Sequence, residues 1–139
     1  MKAEFLPGNR ITLLETGNAY FPALREAIDD ATQEIHLETY IFEADDTGRL
    51  IAAALSRAAN RGVKVRVLVD GFGAREFPAK LMPALEASGV QVLVYRKKIS
   101  PLTLRRHRLR RLHRKLVVLD GRLAFVGGIN IIDDMHAPG

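Results

Sequence analysis

Hydrophobic positions along the chain switch between a spacing of two and a spacing near 3.6, which divides it into alternating strands and helices. The apolar run over residues 11–14, Ile-Thr-Leu-Leu, predicts a first strand. Over residues 20–32, Leu24, Ala27, Ile28 and Ala31 fall on one helical stripe, with Asn18 as the predicted N-cap. Residues 34–42 alternate strictly. That predicts a strand with Ile35, Leu37, Thr39 and Ile41 on one face and His36, Glu38, Tyr40 and Phe42 on the other. Residues 47–60 carry the clearest helical pattern: Leu50, Ile51, Ala54, Leu55 and Ala58 form its apolar face, Thr47 is the expected cap, and Gly62 follows its end. A strand over 63–69 closes on Asp70-Gly71. A helix over 78–88 is kinked or delayed by Pro83 and stopped by Gly89. Strands are predicted over 90–95, 112–119 and 123–126, with irregular basic sequence between the first two of these.

Strands joined by helices of this length imply βαβ crossovers and a largely parallel sheet with helices on both faces. The last pair differs, because Asp120-Gly121 between two β-rich runs is a two-residue hairpin signal. The expectation is therefore an α/β fold whose mixed sheet ends in a C-terminal hairpin. Residues 1–139 read as one domain, with no internal repeat or low-complexity linker.

Composition adds limits. The chain is 47% hydrophobic and 27% charged, enough for a core and a soluble surface. No apolar run approaches the ~20 residues of a membrane span, and the N-terminus lacks the apolar stretch of a secretory signal. A cytoplasmic protein, or one peripheral to the cytoplasmic face of a membrane, is the expectation. The absence of cysteine excludes disulfides, thiolate metal sites and a cysteine nucleophile. The net charge of +5 is concentrated in Arg96, Lys97 and Lys98 and in Arg105, Arg106, Arg108, Arg110, Arg111, Arg114 and Lys115. Such runs attract phosphate in lipid headgroups or nucleic acid. No aromatic residue interleaves with these arginines between residues 101 and 115, which argues against a base-stacking role.

The chemistry concentrates in LHRKLVVLDGRLAFVGGIN, residues 112–130. A two-residue loop would pair Leu119 with Arg122, which sets Lys115 opposite Val126 and His113 opposite Gly128. His113, Lys115 and Asn130 would then point to one side, with diagonal neighbours ~7–8 Å apart. Gly127 and Gly128 would let a tetrahedral group approach the backbone. The trio suits a phosphodiester: an oriented imidazole is a nucleophile at neutral pH. Lysine can stabilise charge on the phosphate oxygens, and the asparagine amide adds donors. No metal or other cofactor is required. Asp120 is the natural first residue of an Asp-Gly turn. Glu38 and His36 share a strand face from which they could reach the site or the basic segment. Asp70 ends a strand where parallel sheets often place functional groups. His107 reads as solvated, and His136 with Asp133 and Asp134 as a polar tail.

The segment resembles the phospholipase D superfamily signature, His-x-Lys-x4-Asp-x6-Gly-[Gly/Ser]-x-Asn, at His113, Lys115, Asp120, Gly127, Gly128 and Asn130. Upstream, ITLLETGNAYFPALREAIDDATQEIHLETYIFEADDTG and VKVRVLVDGFGA look like the amino-terminal half of bacterial cardiolipin synthases. The resemblance implies that His113 forms a phosphohistidine while Lys115 and Asn130 hold phosphate oxygens and Asp120 supports them. Gly127, Gly128, Glu38 and Arg111 would contribute to substrate binding. It implies an anionic phospholipid donor such as phosphatidylglycerol, an alcohol acceptor, and a peripheral membrane surface. It also implies a second half with its own His-x-Lys-x4-Asp, in cis or from a homodimer mate, because this chain has one copy. It further implies another strand past Asn130, so that residues 1–139 are expected to be the first of two halves, truncated before its last strand. The alternatives are a nuclease or phosphodiesterase working as a homodimer, and a non-catalytic basic module that binds membrane or nucleic acid.

Overall fold

The computed structural model describes residues 4–96 and 112–133. Nine elements follow in order: α1 (Gly17–Asp30), β1 (Glu34–Thr39), α2 (Asp46–Asn60), β2 (Lys64–Asp70), α3 (Phe77–Lys80), α4 (Met82–Ala87), β3 (Gln91–Tyr95), β4 (Leu116–Leu119) and β5 (Leu123–Val126). The five strands form one sheet in the order β3-β2-β1-β4-β5. β1, β2 and β3 are parallel. β4 runs antiparallel to both β1 and β5. Four of the five strands therefore share a direction, and the sheet is mixed and mostly parallel.

The order β1, β2, β3 never reverses. Two successive right-handed crossovers in one direction place their helices on the same face. Accordingly α1 packs on α2 and α2 packs on α4. This corrects the expectation of helices on both faces: among the described residues they cover one. The alternating burial of β1 and β2 agrees, with Ile35, Leu37, Val65, Val67 and Val69 buried against the helices. On the other face Leu93 is 65% exposed and Leu68 is half-buried. His36, Glu38 and Arg66 lie on that open face with Leu68 and Leu93, around a shallow depression.

Several local expectations shift for identifiable reasons. Residues 11–14 form no strand and pair with none among the described residues; Ile11 is 94% exposed and Leu13 78%. α1 begins at Gly17, so Thr16 rather than Asn18 stands at the N-cap position, without a side-chain capping bond. α2 is capped by Asp45, not Thr47: its Oδ1 accepts from the Gly48 N–H at 2.8 Å. Gly48 is required there because a Cβ would collide with the Glu43 carbonyl. Leu50, placed on the apolar face by periodicity, is 55% exposed. Pro83 lies in the first turn of α4, and the single predicted helix divides into α3 and α4 at Leu81.

β1 ends at Thr39, whose hydroxyl donates to the Ile41 carbonyl at 2.9 Å. The chain turns there, and strict alternation fails. Phe42 consequently faces the core, fully buried, with its ring 4.9 Å from that of Phe77. It also bridges Ile131 in parallel, which brings the segment after β5 alongside the end of β1.

Candidate active site

β4 and β5 pair antiparallel, but one residue out of the predicted register. Leu119 pairs with Leu123 and Leu116 with Val126. The turn has the expected left-handed pair, Asp120 at φ 53° and Gly121 at φ 62°, and Arg122 N–H donates to the Leu119 carbonyl at 3.2 Å. Arg122 is then left over as an extra residue before the ladder resumes, which is the effect of a bulge. Lys115 now lies beside Gly127, whose N–H donates to the Lys115 carbonyl at 3.3 Å. The placement of Gly128 directly across from His113 is therefore corrected. Added Cβ atoms at Gly127 and Gly128 would meet nothing within 4 Å, so both glycines face open space.

His113 and Lys115 precede β4 and do converge. The Lys115 ammonium lies 3.2 Å from His113 Nδ1 and 3.3 Å from Nε2, and donates to the His113 carbonyl at 3.2 Å. The imidazole is exposed and the lysine half-buried. Asn130 reaches the same end of the sheet by another route. Its Oδ1 accepts from the Ile41 N–H at 3.1 Å, and the neighbouring Ile131 N–H donates to the Ile41 carbonyl at 3.1 Å. The Asn130 oxygen is thus engaged by the backbone, and the side chain's remaining hydrogen-bonding groups are its two amide N–H donors.

Two further residues support the pair: Asp70, already a candidate from its place at a strand end, and Tyr40, which had no assigned role. Asp70 is fully buried at the end of β2. Its Oδ1 caps the following turn through the N–H groups of Phe72 (2.8 Å) and Gly73 (3.1 Å). Its Oδ2 accepts from the Leu112 N–H at 2.9 Å, fixing the backbone immediately before His113. Its position at a strand end was legible in the sequence; the reach to Leu112, 42 residues away, was not. The other contributor is Tyr40, which the strand pattern placed on a face without assigning it a role; its ring centroid lies 5.0 Å from that of His113.

Other candidates lie apart. Asp120 sits at the far end of β4, where its carboxylate accepts from the N–H groups of Thr32 (3.0 Å), Gln33 (2.8 Å) and Glu34 (3.0 Å). It pins the start of β1 and does not join the histidine–lysine pair. Glu38 pairs with Arg114 at 3.4 Å, so it holds the residue between His113 and Lys115 rather than the imidazole. His36 contacts Glu34 and Arg66 on the open sheet face. Arg111, His107, Asp134 and His136 lie outside the described residues.

The three backbone bonds lower the Asp120 carboxyl from 3.8 to about 2. The unfolded chain takes up this proton at a higher pH than the folded one. The contribution of Asp120 is thus complete above about pH 4 and lost as pH falls toward 2. Acid titration of unfolding should show this limb, and Asp120→Ala should remove it.

A cleft of roughly 900 Å³ runs from Lys115, Gly127 and Gly128 between β5 and residues 10–15. Its walls are largely apolar, and Val126 on β5 is 79% exposed. Tyr20, against Phe21 and Phe125, lines its inner side, where burial pushes its phenol up to about 12.

The family described as "Cardiolipin synthase, PLD-like domain" matches residues 24–135. The chain belongs to this family. It is 44% identical over 130 residues to cardiolipin synthase B of Escherichia coli (strain K12), covering 94% of this chain and 32% of that protein. It is 37% identical over 133 residues to the major cardiolipin synthase ClsA of Bacillus subtilis (strain 168), covering 95% of this chain and 27% of the relative. The chain thus spans about a third or less of the curated relatives it matches. Among solved structures, the phospholipase D family member Nuc of Salmonella typhimurium superposes with a TM-score of 0.62 at 22% identity, over 86% of this chain and 69% of Nuc. NucT of Helicobacter pylori gives 0.64 at 20% identity, over 81% of this chain and 67% of NucT. These structures share the PLD-like fold. Among the described residues, no helix is long and apolar enough to cross a membrane.

Proposed function

We propose that the chain is the first half of a phospholipase D-type phosphatidyltransferase of the cardiolipin synthase kind. The observation that carries the reading is the convergence of Lys115 on the exposed His113 imidazole. In the proposed reaction a ring nitrogen of His113 attacks the phosphorus of phosphatidylglycerol. A P–N bond forms, and the P–O bond to the leaving glycerol breaks. Lys115 and the Asn130 amide stabilise the charge that grows on the non-bridging oxygens. A histidine of the second half, in cis or from a mate, protonates the leaving alkoxide. The acceptor hydroxyl, from a second phosphatidylglycerol, then displaces His113 and returns its proton to that same histidine. Asp120 is kept out of the chemistry and Glu38 acts through Arg114.

The cleft beside β5 supports the proposal of an incomplete single domain. An exposed strand edge facing exposed Ile11 and Leu13 across an apolar gap is a place where a further strand would add. The family relatedness supports the phospholipid substrate and a peripheral position at the cytoplasmic face of a membrane. A direct test is to supply the two-half enzyme with phosphatidylglycerol vesicles and, separately, with DNA. Cardiolipin and free glycerol are expected from the vesicles. Cleavage of DNA without lipid product would transfer the same covalent chemistry to the nuclease alternative, and binding without turnover of either would leave the non-catalytic module.

A further inference from the structure

Tyr40 touches both members of the histidine–lysine pair. Its ring lies 5.0 Å from the His113 ring, tilted by 47°, and the Lys115 ammonium sits 5.8 Å from its centroid. The ring's place is prepared from several sides. At Gly73 a Cβ would collide with the Tyr40 carbonyl and come within 2.9 and 3.0 Å of two ring carbons, so the missing side chain makes room for the tyrosine. Gly73 is itself held by Asp70 Oδ1 at 3.1 Å, while Asp70 Oδ2 holds Leu112 at 2.9 Å. Next along the chain, Ile41 is tied to Asn130. One buried carboxylate therefore fixes both the loop against which Tyr40 packs and the backbone that delivers His113.

From this geometry we infer that Tyr40 is a positioning residue for phosphoryl transfer: its ring holds the His113 imidazole and the Lys115 ammonium together against one phosphate. The inference rests on the function proposed above. An exposed imidazole and a lysine on a flexible stem would otherwise spread over several rotamers. An aromatic face restricts both, by packing on the imidazole and by attracting the cation. The role belongs to the ring and not to the phenol, so phenylalanine should serve.

The experiment compares wild type, Tyr40→Phe and Tyr40→Leu in the two-half enzyme, reading kcat, KM and the rate of covalent adduct formation at His113. Tyr40→Phe should stay within a few-fold of wild type. Tyr40→Leu should lose about 10- to 100-fold in kcat and in adduct formation, with KM little changed, as expected for misplaced reacting groups. In parallel, the His113 ring protons of the wild type should show contacts to the Tyr40 ring by NMR, a readout independent of variant folding. Tyr40→Leu with a wild-type adduct rate, loss of activity in Tyr40→Phe equal to that in Tyr40→Leu, or no Tyr40–His113 contact would each overturn the role. A wild type that turns over without any adduct at His113 would instead sink the underlying functional reading, and the role with it.

Discussion

Under the proposed function, replacing His113 by alanine in the two-half enzyme is expected to abolish phosphatidyl transfer while leaving the fold intact. The imidazole is exposed, and among the described residues it meets Lys115 and the Tyr40 ring, so its removal opens no core cavity. The chemistry has no second candidate in the described site: Asp120 is spent on the N-terminus of β1, and His36 lies on the open face with Glu34 and Arg66. Loss of a covalent nucleophile removes the stepwise route altogether, and a fall of about four orders of magnitude or more in kcat is expected. Lys115→Ala should lose less, because it removes stabilisation of the transferred group and not the bond-forming atom. Steady-state kinetics beside thermal unfolding separate these outcomes. A His113→Ala protein with ordinary kcat would show that the reaction passes elsewhere.

The largest effect on stability is expected at Phe42. Its side chain is fully buried and packed at a tilt against the Phe77 ring, and its backbone bridges Ile131 beside Asn130. Phe42→Ala should cost about 3–5 kcal/mol, the range for truncating a buried aromatic. That is a large share of the ~5–15 kcal/mol that holds a domain of this size. The loss would loosen the end of β1, and with it both Tyr40 and the Asn130–Ile41 bond. Urea unfolding at fixed pH measures it; a change below about 1 kcal/mol would mean that Phe42 does not anchor this end of the sheet.

Phe42 also shows where sequence reading stops. Alternation correctly grouped Ile35, Leu37 and Thr39 on one face but carried on three residues too far, because the Thr39–Ile41 turn ends the strand. The motif itself was legible: His113 and Lys115 are two residues apart, and local spacing is enough to bring them together. The register of the hairpin was not, because an extra residue at Arg122 leaves the turn chemistry unchanged and displaces the pairing by one. The mostly parallel sheet could be read from helices between strands. The covered face could not, because it depends on strand order, which no local pattern records. The contacts that give Asp70 and Tyr40 their roles escaped for a related reason, since each reaches residues some 40 or 70 positions away.

The most direct measurement is to trap the intermediate. The two-half enzyme is mixed with phosphatidylglycerol carrying a labelled phosphatidyl group, quenched in base to preserve phosphohistidine, and mapped by mass spectrometry. The account predicts a phosphatidyl group on His113 that appears before product, disappears with acceptor, and is missing from His113→Ala. Turnover with the adduct on any other residue, or with none at all, would contradict it.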